Sequence, residues 1–269
     1  MLRADPRYAY LVRESSATLA ERAVHNSLKL ALLKQPWFRL IAGIIERATI
    51  PGIVLHYALR KDRILRCARE SVTAGAKQAV ILGAGFDSLG YDLKQKFPAL
   101  NLWELDHPAT QRLKASALRQ MQSTELQLIP ADLSNTGLVQ ILSDHPGFCA
   151  QQRTLWVAEG LLMYFEETTV SRIFEQTAGT SGAGSRFIFT FMRPDSARRL
   201  RFEQQTPLVD WWLKMSGEPF RWGSTPERLA EFIRPWRISQ LYDAADLRPG
   251  ADELSPEAAR GEMICVAEL

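Results

Sequence analysis

A short glycine-rich turn is the first feature of this sequence that could bind a ligand. Gly83 and Gly85 follow the apolar run at 78–82. Glycines let the backbone approach a ligand closely, and the helix that follows such a turn offers free N–H groups. A dinucleotide-binding fingerprint needs a third glycine further on, but the sequence continues Phe-Asp-Ser at 86–88. Because the Asp87 carboxylate would repel a pyrophosphate, the turn favours a ligand that is neutral or positive there, and an NAD-dependent dehydrogenase is the weaker alternative.

The second feature is a carboxylate, Asp106, which lies 23 residues beyond Gly83 at the end of the run 101–106. At this spacing an acid accepts hydrogen bonds from the hydroxyls of a ribose. Alternatively, Asp106 caps the helix that Pro108 begins, and one carboxylate could serve both purposes. Glu104 faces the same side of the strand, since side chains alternate along it, and we expect it to support Asp106.

Two more acids end strand-like runs. Asp132 precedes Leu133. In such a pair the carboxylate can accept a hydrogen bond from the amine edge of a base, and the leucine can offer the base an apolar surface. Alternatively, Asp132 caps the helix after Ser134. Glu159 ends the run 154–158, beside the turn where the strand order would reverse. A buried carboxylate at that point requires a cation.

Short β-branched runs alternate with helix-like stretches from residue 75 to 269, and this alternation predicts a doubly wound α/β sheet. Sheets of this kind bind ligands at the carboxyl ends of their strands, where the acids stand. The predicted strands are 78–83, 101–106, 126–132, 154–159, 185–191, 236–242 and 262–268.

The flanking segments complete a single predicted domain, 1–269. Residues 1–74 show helical periodicity without a strand-like run, and we expect them to form a helical cap on the sheet. The irregular stretch 193–223 is long enough to be a lid. Met163, Trp211 and Trp212 could line an apolar acceptor pocket, or they could be ordinary core residues.

Composition excludes several classes of protein. The 269 residues are 46% hydrophobic, which is typical of a globular chain. The net charge is +3 with basic residues scattered among acids, so nucleic acid is not an expected partner. No apolar run approaches the roughly 18 residues of a membrane span, and no membrane partner is expected. The cysteines, Cys67, Cys149 and Cys265, are far apart, which predicts no metal site and a reduced, cytoplasmic location.

Four segments together carry a family resemblance: 79–87, 103–108, 130–133 and 156–165. In this order they resemble the bacterial branch of the leucine carboxyl methyltransferase family, which belongs to the class I S-adenosylmethionine-dependent methyltransferases. The resemblance covers the middle of the chain and extends to helical segments at either end. It implies a mostly parallel, Rossmann-like sheet of seven strands with the last strand antiparallel, and it implies S-adenosylmethionine as the cofactor.

The resemblance also implies roles for single residues. The glycine turn from Gly83 through Gly85 to Asp87 would lie at the methionine part of the cofactor. By the same resemblance, Asp106 would contact the ribose, and Asp132 and Leu133 the adenine. Glu159 would lie at the methionine ammonium, and Tyr164 near the methyl-accepting group.

Arg60 matches the family arginine that pairs with the cofactor carboxylate, a task that suits a planar guanidinium. The alternative is an exposed arginine in the charged run 60–63. The chain departs from the family at Leu65, where members usually carry an acid, and at Leu89 and Asp92, where they usually carry arginines.

The reaction implied is transfer of a methyl group to a carboxylate or hydroxyl oxygen of a small-molecule acceptor. A carboxylate is ionised at neutral pH, so the enzyme needs to position and dehydrate it more than to deprotonate it. A hydroxyl acceptor would give Tyr164 a larger part. The three departures leave a non-enzymatic cofactor-binding or interaction protein of the same fold as the alternative. The sequence predicts no particular oligomeric state.

Overall fold

The fold is built on one sheet of seven strands. The computed structural model describes residues 11, 13–23, 36–121, 126–247 and 258–269. The strands are β1 (Gln78–Leu82), β2 (Asn101–Asp106), β3 (Gln127–Pro130), β4 (Thr154–Ala158), β5 (Arg186–Met192), β6 (Arg237–Tyr242) and β7 (Glu262–Glu268).

The strand order is β3-β2-β1-β4-β5-β7-β6. Strands β1 to β5 pair in parallel, whereas β7 is antiparallel to both β5 and β6. The central strands β1 and β4 are buried at every position, as expected for strands that helices cover on both faces. The doubly wound, mostly parallel sheet with an antiparallel last strand is therefore confirmed.

Nine helices surround the sheet in the described residues. They are α1 (Glu14–Ala23), α2 (Pro36–Thr49), α3 (Ile53–Thr73), α4 (Leu89–Lys96), α5 (Pro108–Gln120), α6 (Leu138–Ser143), α7 (Glu167–Gly179), α8 (Pro207–Met215) and α9 (Pro226–Phe232). A 3-10 turn at Leu162–Tyr164 follows β4. Within residues 1–74 the described part holds helices and no strand, and the rest of the predicted cap lies outside the described residues. None of the described helices is both long and apolar enough to span a membrane.

Side chains of alternate strand residues enter different hydrophobic cores on the two faces of the sheet. Ile81 and Ile188 pack with Leu59 of α3 on one face. Val80 and Phe187 belong to the core on the other face, with the tryptophans of β2 and β4. Helix α3 is thus fixed by packing, with its N-terminal half beside the carboxyl edge of the sheet.

The stretch 193–223 contains helix α8, which the sequence did not predict. The backbone N–H of Thr206 donates to the carbonyl of Thr49 at 3.0 Å, which places the start of α8 at the end of α2. Trp211 and Trp212 are exposed on α8, so the alternative that they are ordinary core residues is wrong, whereas Met163 is buried.

Glu104 lies in the core rather than beside a ligand. Its carboxylate is 2.7 Å from the ammonium of Lys114 on α5, and both side chains are buried. Gly90 of α4 packs directly against this pair, because a Cβ at Gly90 would overlap Oε1 of Glu104. The buried pair therefore requires a glycine at position 90.

We predict that Gly90→Ala lowers the free energy of unfolding by about 1–3 kcal/mol, since the added methyl group must displace a paired, buried carboxylate. Urea denaturation measures this change. Gly179→Ala is the matched control, because a Cβ there meets nothing within 4 Å. Equal stability of the two variants would contradict the prediction.

Candidate functional site

The glycine turn lines a cavity of about 200 Å³ at the carboxyl ends of β1 and β4. Gly83 has φ +61°, in the left-handed region, and a Cβ there would lie 2.6 Å from the side chain of Leu161. Gly85 has φ +49°. Among the cavity's lining residues are Gly83, Gly85, Asp87, Glu159, Arg60 and Lys61. The structure therefore brings five of the predicted site residues to one cavity.

Asp106 adjoins this cavity through the backbone of the turn. Its Oδ2 accepts a hydrogen bond from the N–H of Gly85, and its Oδ1 accepts one from the N–H of His107 at 2.6 Å. His107 is the residue that caps α5, because its Nδ1 accepts from the N–H of Ala109 at 3.3 Å. The alternative that Asp106 caps this helix is wrong.

Asp132 and Leu133 stand at the same edge but outside the cavity, after β3 and two strands from β1. Asp132 is exposed and closes a turn, accepting hydrogen bonds from the N–H of Ser134 at 3.0 Å and from Nδ2 of Asn135 at 2.7 Å. A third hydrogen bond comes from the Ser134 hydroxyl, and together with the other two it lowers the pKa of Asp132. The next helix, α6, begins at Leu138 and has Gly137 as its N-cap, so the alternative that Asp132 caps this helix is wrong. Leu133 is buried in the core.

Arg60 lies between two carboxylates. Its Nη2 is 2.8 Å from Oε1 of Glu159, and its Nη1 donates to Oε2 of Glu262 at 2.6 Å. Only 10% of its side chain is exposed, and its guanidinium lies 4.6 Å from the ring centroid of Tyr57. Burial disfavours the charged form, but the two carboxylates outweigh it and raise the pKa of Arg60. The alternative that Arg60 belongs to an exposed charge run is wrong.

Asp87 is neutralised by two cations and a helix N-terminus. It forms ion pairs with Lys61 and, at 3.5 Å, with Arg13. Its Oδ1 also accepts a hydrogen bond from the N–H of Leu89, in the first turn of α4, at 2.7 Å. Burial would raise the pKa of Asp87, but Lys61 and Arg13 outweigh it and lower that pKa to about 2. A ligand at the glycine turn therefore meets a carboxylate that already has cationic partners.

These contacts form an alternating series of acids and bases, which we call the ion-pair chain. Its order is Asp92, Arg13, Asp87, Lys61, Glu159, Arg60, Glu262 and His56. It runs from Asp92 on α4, across the cavity, to Glu262 at the start of β7 and His56 on α3. Within the described residues, no three His, Cys, Asp or Glu side chains are grouped so that they could hold a metal ion.

Sequence reasoning missed four members of this chain: Arg13, His56, Lys61 and Glu262. A signal for Glu262 was present, because the first residue of an antiparallel last strand must lie beside the carboxyl end of its parallel neighbour. In the structure Glu262 pairs with Met192, the last residue of β5. Lys61 was visible only as part of a charged run.

The three departures from the family pattern have structural roles. Leu65 and Leu89 are both buried in one hydrophobic core, so apolar packing occupies both positions. Asp92 forms an ion pair with Arg13. The arginine beside the glycine turn therefore comes from the start of α1 instead of from α4.

Tyr164 ends the 3-10 turn after β4 and is half-buried. Its ring centroid lies 5.7 Å from that of Phe220, in the 193–223 stretch. Burial, with a contribution from Tyr57, raises the pKa of Tyr164 to about 12. The phenol is therefore protonated at neutral pH and can donate a hydrogen bond.

Comparison with known proteins points to one family. The family model described as Leucine carboxyl methyltransferase matches residues 2–178. A protein of Mycobacteroides abscessus, named as a candidate S-adenosyl-L-methionine-dependent methyltransferase, is 34% identical over 218 residues, or 73% of this chain and 66% of that protein. A relative of the same description from Mycolicibacterium paratuberculosis is 29% identical over 208 residues, and the chain spans 64% of its length.

Two solved structures share the fold. One is a candidate methyltransferase from Thermobifida fusca, with a TM-score of 0.61 and 14% identity, over 100% of this chain and 99% of that one. The other is a candidate O-methyltransferase from Nostoc punctiforme, with a TM-score of 0.52 and 10% identity, over 79% and 57%. At these identities the likeness supports the fold alone.

We predict that the ion-pair chain makes stability depend on acid pH. Burial would raise the pKa of Glu262, but Arg60 and His56 outweigh it and lower that pKa to about 2, from 4.5. Because the pKa of Glu262 is lower in the folded state than in the unfolded state, its ionised carboxylate adds to the free energy of unfolding. This contribution is complete above pH 4.5 and is lost as the pH falls toward 2. Glu262→Gln should therefore be less stable than wild type by about 3 kcal/mol at pH 7, with the difference narrowing toward pH 2.

Urea denaturation across this pH range measures the difference. Glu231→Gln is the control, because Glu231 is an exposed glutamate on α9. A difference between wild type and Glu262→Gln that stays constant with pH would contradict the prediction.

Proposed function

Because the chain belongs to the leucine carboxyl methyltransferase family, we propose that it binds S-adenosylmethionine at the glycine-turn cavity and methylates an oxygen atom of a small-molecule acceptor. The observation that carries this proposal is the contact of Asp106 with the backbone of Gly85, beside a cavity that also contains Glu159 and Arg60. Asp106, the acid proposed to bind the ribose, thus lies next to a carboxylate and a guanidinium, which suit the charged groups of an amino-acid tail. The bound cofactor would supply an electrophilic methyl group on a sulfonium.

Asp106 has the capacity to bind a ribose. An ionised carboxylate has about four lone-pair sites, and the N–H groups of Gly85 and His107 use two of them. The remaining two can accept hydrogen bonds from two vicinal hydroxyls. The backbone contacts hold the carboxylate in place, so little freedom would be lost on binding.

We assign the adenine to the end of β3. Asp132 is exposed there, and its three turn contacts leave one lone pair, on Oδ2, that can accept a hydrogen bond from an exocyclic amine. Leu133 follows it, and because its side chain is buried in the core, it would offer the base only the small part that remains exposed. Both roles rest on the family pattern and on the place of these residues at the sheet edge.

The acceptor would lie on the far side of the cavity, toward Tyr164. A protonated phenol can donate to an acceptor oxygen and orient it, and a carboxylate acceptor would need no base at neutral pH. The 193–223 stretch packs Phe220 against Tyr164, so it is the segment that we propose as a lid over the acceptor.

We predict that the wild-type protein binds S-adenosylmethionine and S-adenosylhomocysteine, and does not bind NAD, in calorimetric titrations. Asp106→Ala should weaken binding by about 1–3 kcal/mol, because the ribose hydroxyls lose a charged acceptor. Asp144→Ala, which removes an exposed acid after α6, is the matched control. Absence of binding by folded wild-type protein, or unchanged affinity in Asp106→Ala, would contradict the assignment.

Methyl transfer is tested with a panel of carboxylic and phenolic acceptors. For an acceptor found in this way, Tyr164→Phe should lower kcat by about tenfold or more, while the affinity for S-adenosylhomocysteine changes little, because only the acceptor loses a hydrogen bond. Cofactor binding without transfer to any member of the panel would favour the non-enzymatic alternative.

A further inference from the structure

Lys61 bridges two carboxylates across the cavity. Its ammonium is ion-paired with Asp87 after β1 and lies 3.2 Å from Oε1 of Glu159 after β4. Burial disfavours the charged form, but Glu159 and Asp87 outweigh it and raise the pKa of Lys61. The protein therefore places an ammonium of its own between these two acids.

Lys61 is also more accessible than Arg60. The Lys61 side chain is 34% exposed, compared with 10% for Arg60. Arg60 is held from two sides by Glu159 and Glu262, and moving it would leave His56 as the one remaining ion-pair partner of the buried Glu262 among the described residues. Lys61 has a flexible stem and can exchange partners at a lower cost.

An amino-acid tail brings one ammonium and one carboxylate into this cavity. Its ammonium competes with Lys61 for Glu159, since both are cations that need the same oxygen atoms. Its carboxylate offers the displaced Lys61 a new partner. After the exchange, the ligand ammonium is paired with Glu159 and the Lys61 ammonium is paired with the ligand carboxylate. Neither ammonium is therefore left unpaired in this partly buried site.

We propose that Lys61, rather than Arg60, binds the carboxylate of the cofactor, and that it vacates the ammonium subsite between Asp87 and Glu159 as the cofactor enters. This inference rests on the proposed function and adds a residue that the family pattern does not assign. Arg60 then becomes a positioning residue, which holds Glu159 toward the cavity.

The exchange gives Lys61 opposite effects on two related ligands. For S-adenosylhomocysteine, which has both charged groups, Lys61→Met should weaken binding by about tenfold, because the carboxylate loses its cation. For S-adenosyl-3-thiopropylamine, which keeps the ammonium and lacks the carboxylate, Lys61→Met should strengthen binding several-fold, because a competing ammonium is removed. For 5′-methylthioadenosine, which has neither group, the affinity should stay within twofold.

Calorimetric titration of wild type, Lys61→Met and Lys61→Gln with these three ligands measures the effects. Lys77→Met is the matched control, because Lys77 is an exposed lysine outside the cavity. The melting temperature and the affinity for 5′-methylthioadenosine report whether each variant is folded.

Opposite shifts for the first two ligands in the Lys61 variants, absent in Lys77→Met, would support the exchange. Equal shifts for both ligands, or no shift, would overturn it while leaving the proposed function intact. Failure of the wild-type protein to bind any of the three ligands would instead count against the proposed function.

Discussion

The Arg60 guanidinium lies between Glu159 and Glu262, and it joins helix α3 to two parts of the sheet that are far apart in sequence. The ion pair with Glu262 is buried, so its attraction is weakly screened but each charge has lost most of its hydration. Such a pair adds little net stability compared with an apolar replacement, but removing one partner leaves an uncompensated charge. The geometry of the site therefore depends on all three side chains being present together.

This requirement follows from the architecture. Parallel strands bring their carboxyl ends to one edge, and the reversed direction of β7 brings its first residue to the same edge. Carboxylates that follow different strands thus become neighbours and would repel each other without partners. Asp106 finds its partners in the backbone N–H groups of Gly85 and His107, whereas Asp87, Glu159 and Glu262 are paired with cations.

All of these cations precede β1 in the chain. Arg13 lies just before α1, and Arg60 and Lys61 lie on α3. The helical N-terminal part is therefore part of the site and not only a cover for the sheet. The same arrangement accounts for the departures from the family pattern, because Arg13 pairs with Asp92 while Leu65 and Leu89 pack in one apolar core.

Local sequence was sufficient for the strands and for most of the acids at their ends. A β-branched run of five or six residues has few alternatives to a buried strand, and a carboxylate directly after it must lie at the edge of the sheet. The positions of Asp106, Asp132 and Glu159 followed from this rule, and the positive φ of Gly83 and Gly85 suits the turn inferred from their spacing.

The partners of the acids were decided only by tertiary structure. Arg13 and Asp87 are 74 positions apart, and Arg60 and Glu262 are 202 apart, so no local pattern relates them. Their contacts depend on how α1 and α3 pack on the sheet, which many separate apolar contacts determine together. For the same reason the charged run 60–63 left an exposed Arg60 open as an alternative, whereas the packing of α3 turned Arg60 inward. The residue types at the sheet edge were thus a property of the sequence, and the pairing of their charges was a property of the fold.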